Sequence, residues 1–485
     1  MKWILAKYSD CLSNTLSTYS AVTGNNRERV FAERNRLMPA ARRAKLTSGK
    51  ILPQLIRLTI PMMAGMVGMV VFNLVDTFYI GQLGAEQLAA MGYTFPVVMF
   101  ITSISIGLGM GASAVISNEI GKGSIEKVRH LATNSLLLGL PVVALFALAG
   151  LLTIDPLFRL LGADGVTLSY IKQYMEIWYL GVPFVVIPMI GNNIIRATGD
   201  MKTPGLIMLS IAVLNCILDP LLIFGIGPFP RMGIAGGAIA TLFTRAVGMS
   251  LAFTVLVKKE KIIRFVVPKA RELIESWKKI LFIGIPAGLA KLIIPLSMGM
   301  VTRIVSEYGN NAVAGFGVAT RLEALAMMLL MALSTVLVPF TGQNIGAGRR
   351  DRVLKALKVS YIFSLVWGGI MFVLFLLTGK FMAGLFNESP DIVSTVVVYL
   401  NIVSISYGFQ GILIVSSAVL NGKRKPIHSA FLSLSRMFVL YVPLAVIGSK
   451  LFALKGIFIG ASIANFAAGV LSLYIVYRQV VRSQD

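Results

Sequence analysis

Asp76 and Asp219 are the residues of this 485-residue chain whose positions most need a chemical reason. Each sits inside a long apolar run, and a carboxylate at the centre of a membrane helix costs about 2.5–3.5 kcal/mol on insertion scales. Asp76 follows Asn73 by three residues, on one face if the segment is helical. Asp219 follows Asn215 by four and is followed by Pro220, which loosens the next turn. A desolvated carboxylate can gain and lose a proton near neutrality. Alternatively, Asp76 and Asp219 with the oxygens of Asn215 and Thr241 could hold a sodium ion, a hard cation suited to oxygen donors. The plainer alternative is hydrogen-bonded helix packing, with Asp219 near a solvated surface. His130 and His428 both fall in basic loops, so no histidine is available in the apolar runs for a metal site or a proton relay.

The elements that must position these groups are membrane helices. The chain is 56% hydrophobic and 14% charged, against about 45–50% and 25% in soluble domains. Uncharged runs recur between short polar loops, each with its flanks approaching the roughly 20 residues that cross a bilayer. The expected spans are 54–81, 88–117, 131–155, 168–195, 203–227, 233–257, 276–305, 312–342, 354–378, 391–420, 427–450 and 453–478. The fold class is therefore all-α integral membrane with 12 transmembrane helices.

The net charge of +24, from 45 basic and 21 acidic residues, would suggest a nucleic-acid partner in a soluble protein. Here the basic residues fall mainly on alternate loops, the pattern of the positive-inside rule, which places both termini in the cytosol and excludes nucleic acid as the partner. Residues 1–50 read as a basic cytosolic arm, mostly disordered, or in part as sequence upstream of a true start at Met38. Cys11 and Cys216 define no disulfide framework.

Sliding the chain by 225 residues pairs Pro61 with Pro286, Thr77 with Thr302, Gly84 with Gly309, Gly121 with Gly346 and Gly123 with Gly348. Two parallel six-helix repeats follow: an N-terminal lobe at 51–257, a cytosolic linker at 258–279 and a C-terminal lobe at 280–485. Such halves enclose a V-shaped cleft with binding near its midplane. Asp76 corresponds to Val301, so coupling chemistry belongs to the N-terminal half. The C-terminal half carries Lys291, Arg303, Arg321, Glu323 and Arg436, with a Lys291–Glu323 pair expected as a neutralising bridge. Methionines 62, 63, 66, 69, 327, 328 and 331 either line an adaptable apolar chamber or simply pack.

Four segments, Phe72–Gly84 (FNLVDTFYIGQLG), Arg196–Pro204 (RATGDMKTP), Asn215–Gly225 (NCILDPLLIFG) and Asn344–Gly348 (NIGAG), together resemble the multidrug and toxic compound extrusion family, DinF-like branch, over roughly 50–480. The resemblance implies a cation-coupling site of Asp76, Asp219, Asn215 and Thr241, a hinge at Pro61 in helix one, and a substrate chamber bordered by Asn192 with Asn73. The expected function is export of small amphipathic, cationic organic compounds by alternating access. Protons are favoured over sodium as the coupling ion, and no other cofactor is expected. The expected setting is the bacterial inner membrane, as a monomer in contact with lipid. A flippase for lipid-linked saccharides is the rival with the same architecture. A lipid-modifying enzyme is disfavoured, since it would need an intramembrane histidine, serine or metal-ligand constellation.

Overall fold

The computed structural model describes residues 44–264 and 268–482; Cys11, Met38 and most of the expected arm lie outside them. Helices α1 (Ile51–Gly81), α2 (Ala85–Gly121), α3 (Ile125–Leu160), α4 (Gly165–Leu180), α5 (Pro183–Ala197), α6 (Lys202–Phe224) and α7 (Ile234–Thr254) form one lobe. Helices α8 (Ala270–Ser306), α9 (Asn310–Gly346), α10 (Arg350–Gly384), α11 (Pro390–Val403), α12 (Tyr407–Gly422), α13 (Pro426–Leu434) and α14 (Val442–Val476) form the other.

These helices make twelve crossings, and two local breaks explain the count. The expected fourth span bends by 46° between α4 and α5, where Pro183 lacks the N–H that would continue the ladder. At the C-terminal end the helical stretch Pro426–Arg482 runs 57 residues, more than twice the roughly 20 a bilayer requires. Phe452 and Ala453 leave helical geometry, Ala453 at φ 51°. The chain there doubles back, with Gly448 packed against Gly456. The expected boundary between 450 and 453 is this hairpin.

Several helices overrun the bilayer at one end. Helices α2 and α9 each have 37 residues, or about 55 Å against a hydrocarbon core of about 30 Å. Their C-terminal ends meet beside the basic loops, here called the basic end. Helix α8 likewise begins at Ala270, so the second half of the expected 258–279 linker is helix.

The lobes join at the basic end and part toward the other. One cluster of buried apolar residues runs from Leu55, Ala112 and Ile116 of the first lobe through Leu337, Phe340, Leu357 and Val419 of the second. The far half of the second lobe has a separate core, including Val301, Phe316, Tyr399 and Phe458, with no first-lobe residue in it. The result is a V whose apex lies at the basic end.

Glycines set the crossings at that apex. A Cβ on Gly107 would fall 2.3 Å from the Gly284 carbonyl, and one on Gly346 would fall 2.0 Å from the Asn118 carbonyl. Neither helix pair, α2 with α8 or α2 with α9, could approach so closely around a side chain.

Residues 44–50, the described part of the expected disordered arm, are ordered. Leu46 is 1% exposed, its N–H donates to Gln343 Oε1 at 3.1 Å, and its carbonyl accepts from Asn344 Nδ2 at 3.1 Å. Gln343 Nε2 also donates to the Ala197 carbonyl at 2.7 Å. Arg352 donates to the carbonyls of Ser48 and Gly49 at 3.2 and 2.8 Å. The segment straps the first lobe to α9 and α10 of the second.

Candidate functional site: a carboxylate pair between α1, α6 and α7

Helices α1 and α6 pack backbone to backbone, since a Cβ on Gly205 would meet the Pro61 carbonyl at 2.3 Å and one on Gly65 would meet Gly205 at 2.9 Å. Pro61, the expected hinge, thus lies inside a continuous α1 at its tightest contact with α6. Further along the pair, Asp76 is 6% exposed and Asp219 is fully buried, as is Asn215. Gly237 lets α7 come against Asp76: its Cβ position lies 3.6 Å from Asp76 Oδ1. Thr241, one helical turn beyond Gly237 on α7, is 4% exposed.

Asn215 Nδ2 donates to Asp219 Oδ1 at 2.9 Å. The remaining acceptors are left over: Asp76 Oδ1, Asp219 Oδ2, Asn215 Oδ1 and Thr241 Oγ1 are all buried without a hydrogen-bond partner. An unsatisfied buried polar atom costs about 1–3 kcal/mol, so four oxygens left so on three neighbouring helices describe a receptor for positive charge. A proton or a sodium ion fits these four atoms, because each is a hard oxygen acceptor, although Arg245 Nε on α7 is also buried without a partner.

Two residues to which the sequence assigned no role belong to the same group. Arg245 on α7 lies within electrostatic range of Asp76, with its guanidinium 5.8 Å from the centre of the Phe72 ring. Tyr174 of α4, 4% exposed, interacts electrostatically with Asp76, Asp219 and Arg245. Arg245 was findable, since it follows Thr241 by four residues on the same helical face and is a base in a span facing two acids. Tyr174 carries no local signal, being one of 14 tyrosines.

Two expectations need correction, the shared face of Asn73 with Asp76 and the Lys291–Glu323 bridge. Asn73 is exposed while Asp76 is buried, so the two do not share a buried face; the 60° offset of three helical residues suffices to turn Asn73 out. Asn192, expected to border the chamber, is 9% exposed on α5 with an unpaired Oδ1. Lys291 does not bridge to Glu323. Glu323 points into the second lobe, accepting from Gln410 Nε2 at 2.9 Å and from the Tyr399 hydroxyl, whereas Lys291 lies on the side of α8 that faces α2. Of the methionines, Met62 and Met327 are core, while Met331 is 40% exposed.

The comparisons with known proteins agree with this architecture. The MatE family model matches the chain twice, over residues 61–221 and 286–447, so the two matches start 225 residues apart and at the two register-related prolines. A relative named FAD transporter from Shewanella oneidensis is 38% identical over 433 residues, covering 89% of this chain and 96% of the relative. A probable multidrug resistance protein, YpnP of Bacillus subtilis, is 29% identical over 435 residues, covering 89% and 96%. Among solved structures, a variant of the Vibrio cholerae MATE transporter VcmN is similar with a TM-score of 0.85 and 30% identity, over 90% of this chain and 98% of that one. The chain belongs to the MatE family, the multidrug and toxic compound extrusion transporters, and is a membrane transporter of two six-helix lobes.

Proposed function

We propose that this chain is a proton-coupled antiporter that exports small amphipathic organic compounds across the bacterial inner membrane. The observation that carries the reading is the set of four unpartnered buried oxygens on Asp76, Asp219, Asn215 and Thr241. The positive-inside rule assigns the basic end to the cytosol, which makes this the outward-open state, closed at Gly121–Gly346 and at the 44–50 strap.

Arg245 favours the proton over sodium. Its fixed positive charge beside Asp76 opposes any added cation. A proton, however, bonds covalently to one carboxylate oxygen and needs no shell of further ligands, whereas a sodium ion would have to gather its oxygen ligands next to the guanidinium. Protonated Asp76 loses its attraction to Arg245 and becomes a donor, with Asn215 Oδ1 and Thr241 Oγ1 as nearby acceptors. That exchange changes how α1 is held against α7. A ligand moves a conformational equilibrium only by its differential affinity, so export requires the proton and the substrate to favour different states of the V.

The names of the relatives, FAD transporter and multidrug resistance protein, support transport of organic compounds over flipping of lipid-linked saccharides. They span an anionic dinucleotide and drugs, so substrate charge must be read from the walls of the cleft. The test is efflux of a fluorescent compound from proteoliposomes under a proton gradient or a sodium gradient imposed separately. The expected outcome is efflux under the proton gradient, lost in Asp219→Asn; efflux driven by sodium alone would assign the four oxygens to that ion.

A further inference from the structure

The second lobe carries an excess of fixed positive charge in its membrane spans. The first sets Asp76 and Asp219 against Arg57 and Arg245; the second sets Lys291, Arg303, Arg321 and Arg436 against Glu323. Glu323 is already engaged with Tyr399 and Gln410 and lies within electrostatic range of Arg436, whose Nε donates to Asn465 Oδ1 at 2.8 Å. Lys291 and Arg321 have no hydrogen bond or ion pair among the described residues.

Helical phase places both side chains toward the cleft. Lys291 follows Gly284 by seven residues and Gly288 by three, and those glycines touch Gly107, Leu108, Ser103 and Ile104 of α2. Lys291 therefore stands on the α2-facing side of α8, just beyond the point where the lobes part, and it is exposed. The lipid-side stripe of α8, with Phe282, Ile285 and Leu289 exposed, lies more than a quarter turn away. On α9, Gly342 and Gly346 touch α2, and the same face continues outward through Thr335, Met331 and Ala324 to Arg321, which is exposed.

Depth places them together. Lys291 lies about 22 Å along α8 from Ser306, and Arg321 about 17 Å along α9 from Asn310, at about 1.5 Å per residue. Helices α8 and α9 are joined at that end by a short turn, so two unneutralised bases face one cleft at similar depth. Below Arg321 the same face carries Ala324 and Met331, both exposed.

We infer that Lys291 and Arg321 form a subsite for the anionic group of the transported compound, so that the substrate class is a phosphate-bearing amphiphile with an apolar ring system. This departs from the cationic substrates expected from the sequence, and it rests on the reading of the chain as a coupled exporter. A guanidinium presents paired donors to phosphate and an ammonium adds a point charge. The apolar α9 face receives the ring.

Riboflavin and FMN test this directly, because they share one fluorescent ring and differ by a phosphate. In phosphatidylcholine proteoliposomes, wild type is expected to move FMN about tenfold faster than riboflavin. Lys291→Gln/Arg321→Gln is expected to lose that preference while still moving riboflavin, and Lys291→Arg/Arg321→Lys to restore it. Wild type that moves riboflavin and ethidium but shows no preference for FMN over riboflavin overturns the inference and leaves the exporter reading intact. Transport of none of the three compounds removes the exporter reading itself. If replacing a third of the lipid with phosphatidylglycerol abolishes FMN transport, the pair binds a lipid headgroup and the substrate assignment is wrong; unchanged transport supports it.

Discussion

Gly121 and Gly346, equivalent positions of the two repeats, lie against each other at the closed end, with 3.1 Å between the Cβ position of Gly346 and the Gly121 Cα. The internal duplication thus places its own symmetry-related residues at the apex of the V. Any side chain at either position must separate α2 from α9. Gly346→Val is expected to open the basic end. Labelling of Ser117→Cys by a membrane-impermeant maleimide added from that side should rise several-fold over the same cysteine in an otherwise wild-type chain, and unchanged labelling would show that the contact does not hold the closure.

The 44–50 strap makes a separate prediction about the same closure. Arg352→Ala removes donors to Ser48, Gly49, Gln54 and Asn344, a loss of about 1–3 kcal/mol in the closed state. Cleavage of the strap by a protease at the basic end should accelerate accordingly. Protection equal to wild type would mean that Leu46 alone seats the segment.

Asp200 supplies a pH-dependent element outside the membrane. It caps the first turn of α6 by accepting from the Thr203 N–H at 3.0 Å and pairs with Lys259 at 2.7 Å. Although burial opposes its ionised form, these hydrogen bonds and the Lys259 charge outweigh burial and hold the carboxyl below the ordinary aspartate range. A depressed carboxyl stabilises the fold above its unfolded value, about 3.9, and that stabilisation is lost as pH falls through the folded value. Asp200→Asn should therefore be less stable than wild type at pH 7, by about 1 kcal/mol. The difference should begin to shrink below about pH 4 and vanish only once the pH is below the depressed folded value. A difference independent of pH would assign the effect to packing.

Membrane potential separates substrate charges. Exchange of one proton for a monovalent cation moves no net charge, whereas exchange for doubly charged FMN moves about three. At about 60 mV, inside negative, the latter gains on the order of 4 kcal/mol. FMN efflux should rise steeply with an imposed potassium-diffusion potential while ethidium efflux stays flat; equal responses would contradict the anionic substrate class.

The spans were legible in the sequence because hydrophobic length is a one-dimensional property, and the 225-residue register because prolines and loop glycines survive duplication in place. Asp76, Asp219 and Asn215 stood out because acids are rare in apolar runs. The bend at Gly181–Pro183 stayed hidden inside what read as one span. Partner choice was the weaker part. Lys291 and Glu323 have complementary charge, but the rotation of α9 turns Glu323 toward Tyr399 and Gln410. Arg245 and Tyr174 join the acids only through contacts among α1, α4 and α7, which no spacing along the chain encodes.

The most direct test of the central claim is the coupling of the proton to substrate, read with a pH-sensitive dye trapped in the compartment facing the basic end. As substrate leaves that compartment through the wild-type protein, the lumen should acidify in proportion to substrate exported. Asp76→Asn should abolish that acidification along with gradient-driven export. Proton movement and export that persist together in Asp76→Asn would contradict the account, because the carboxylate pair could not then be where the proton is carried.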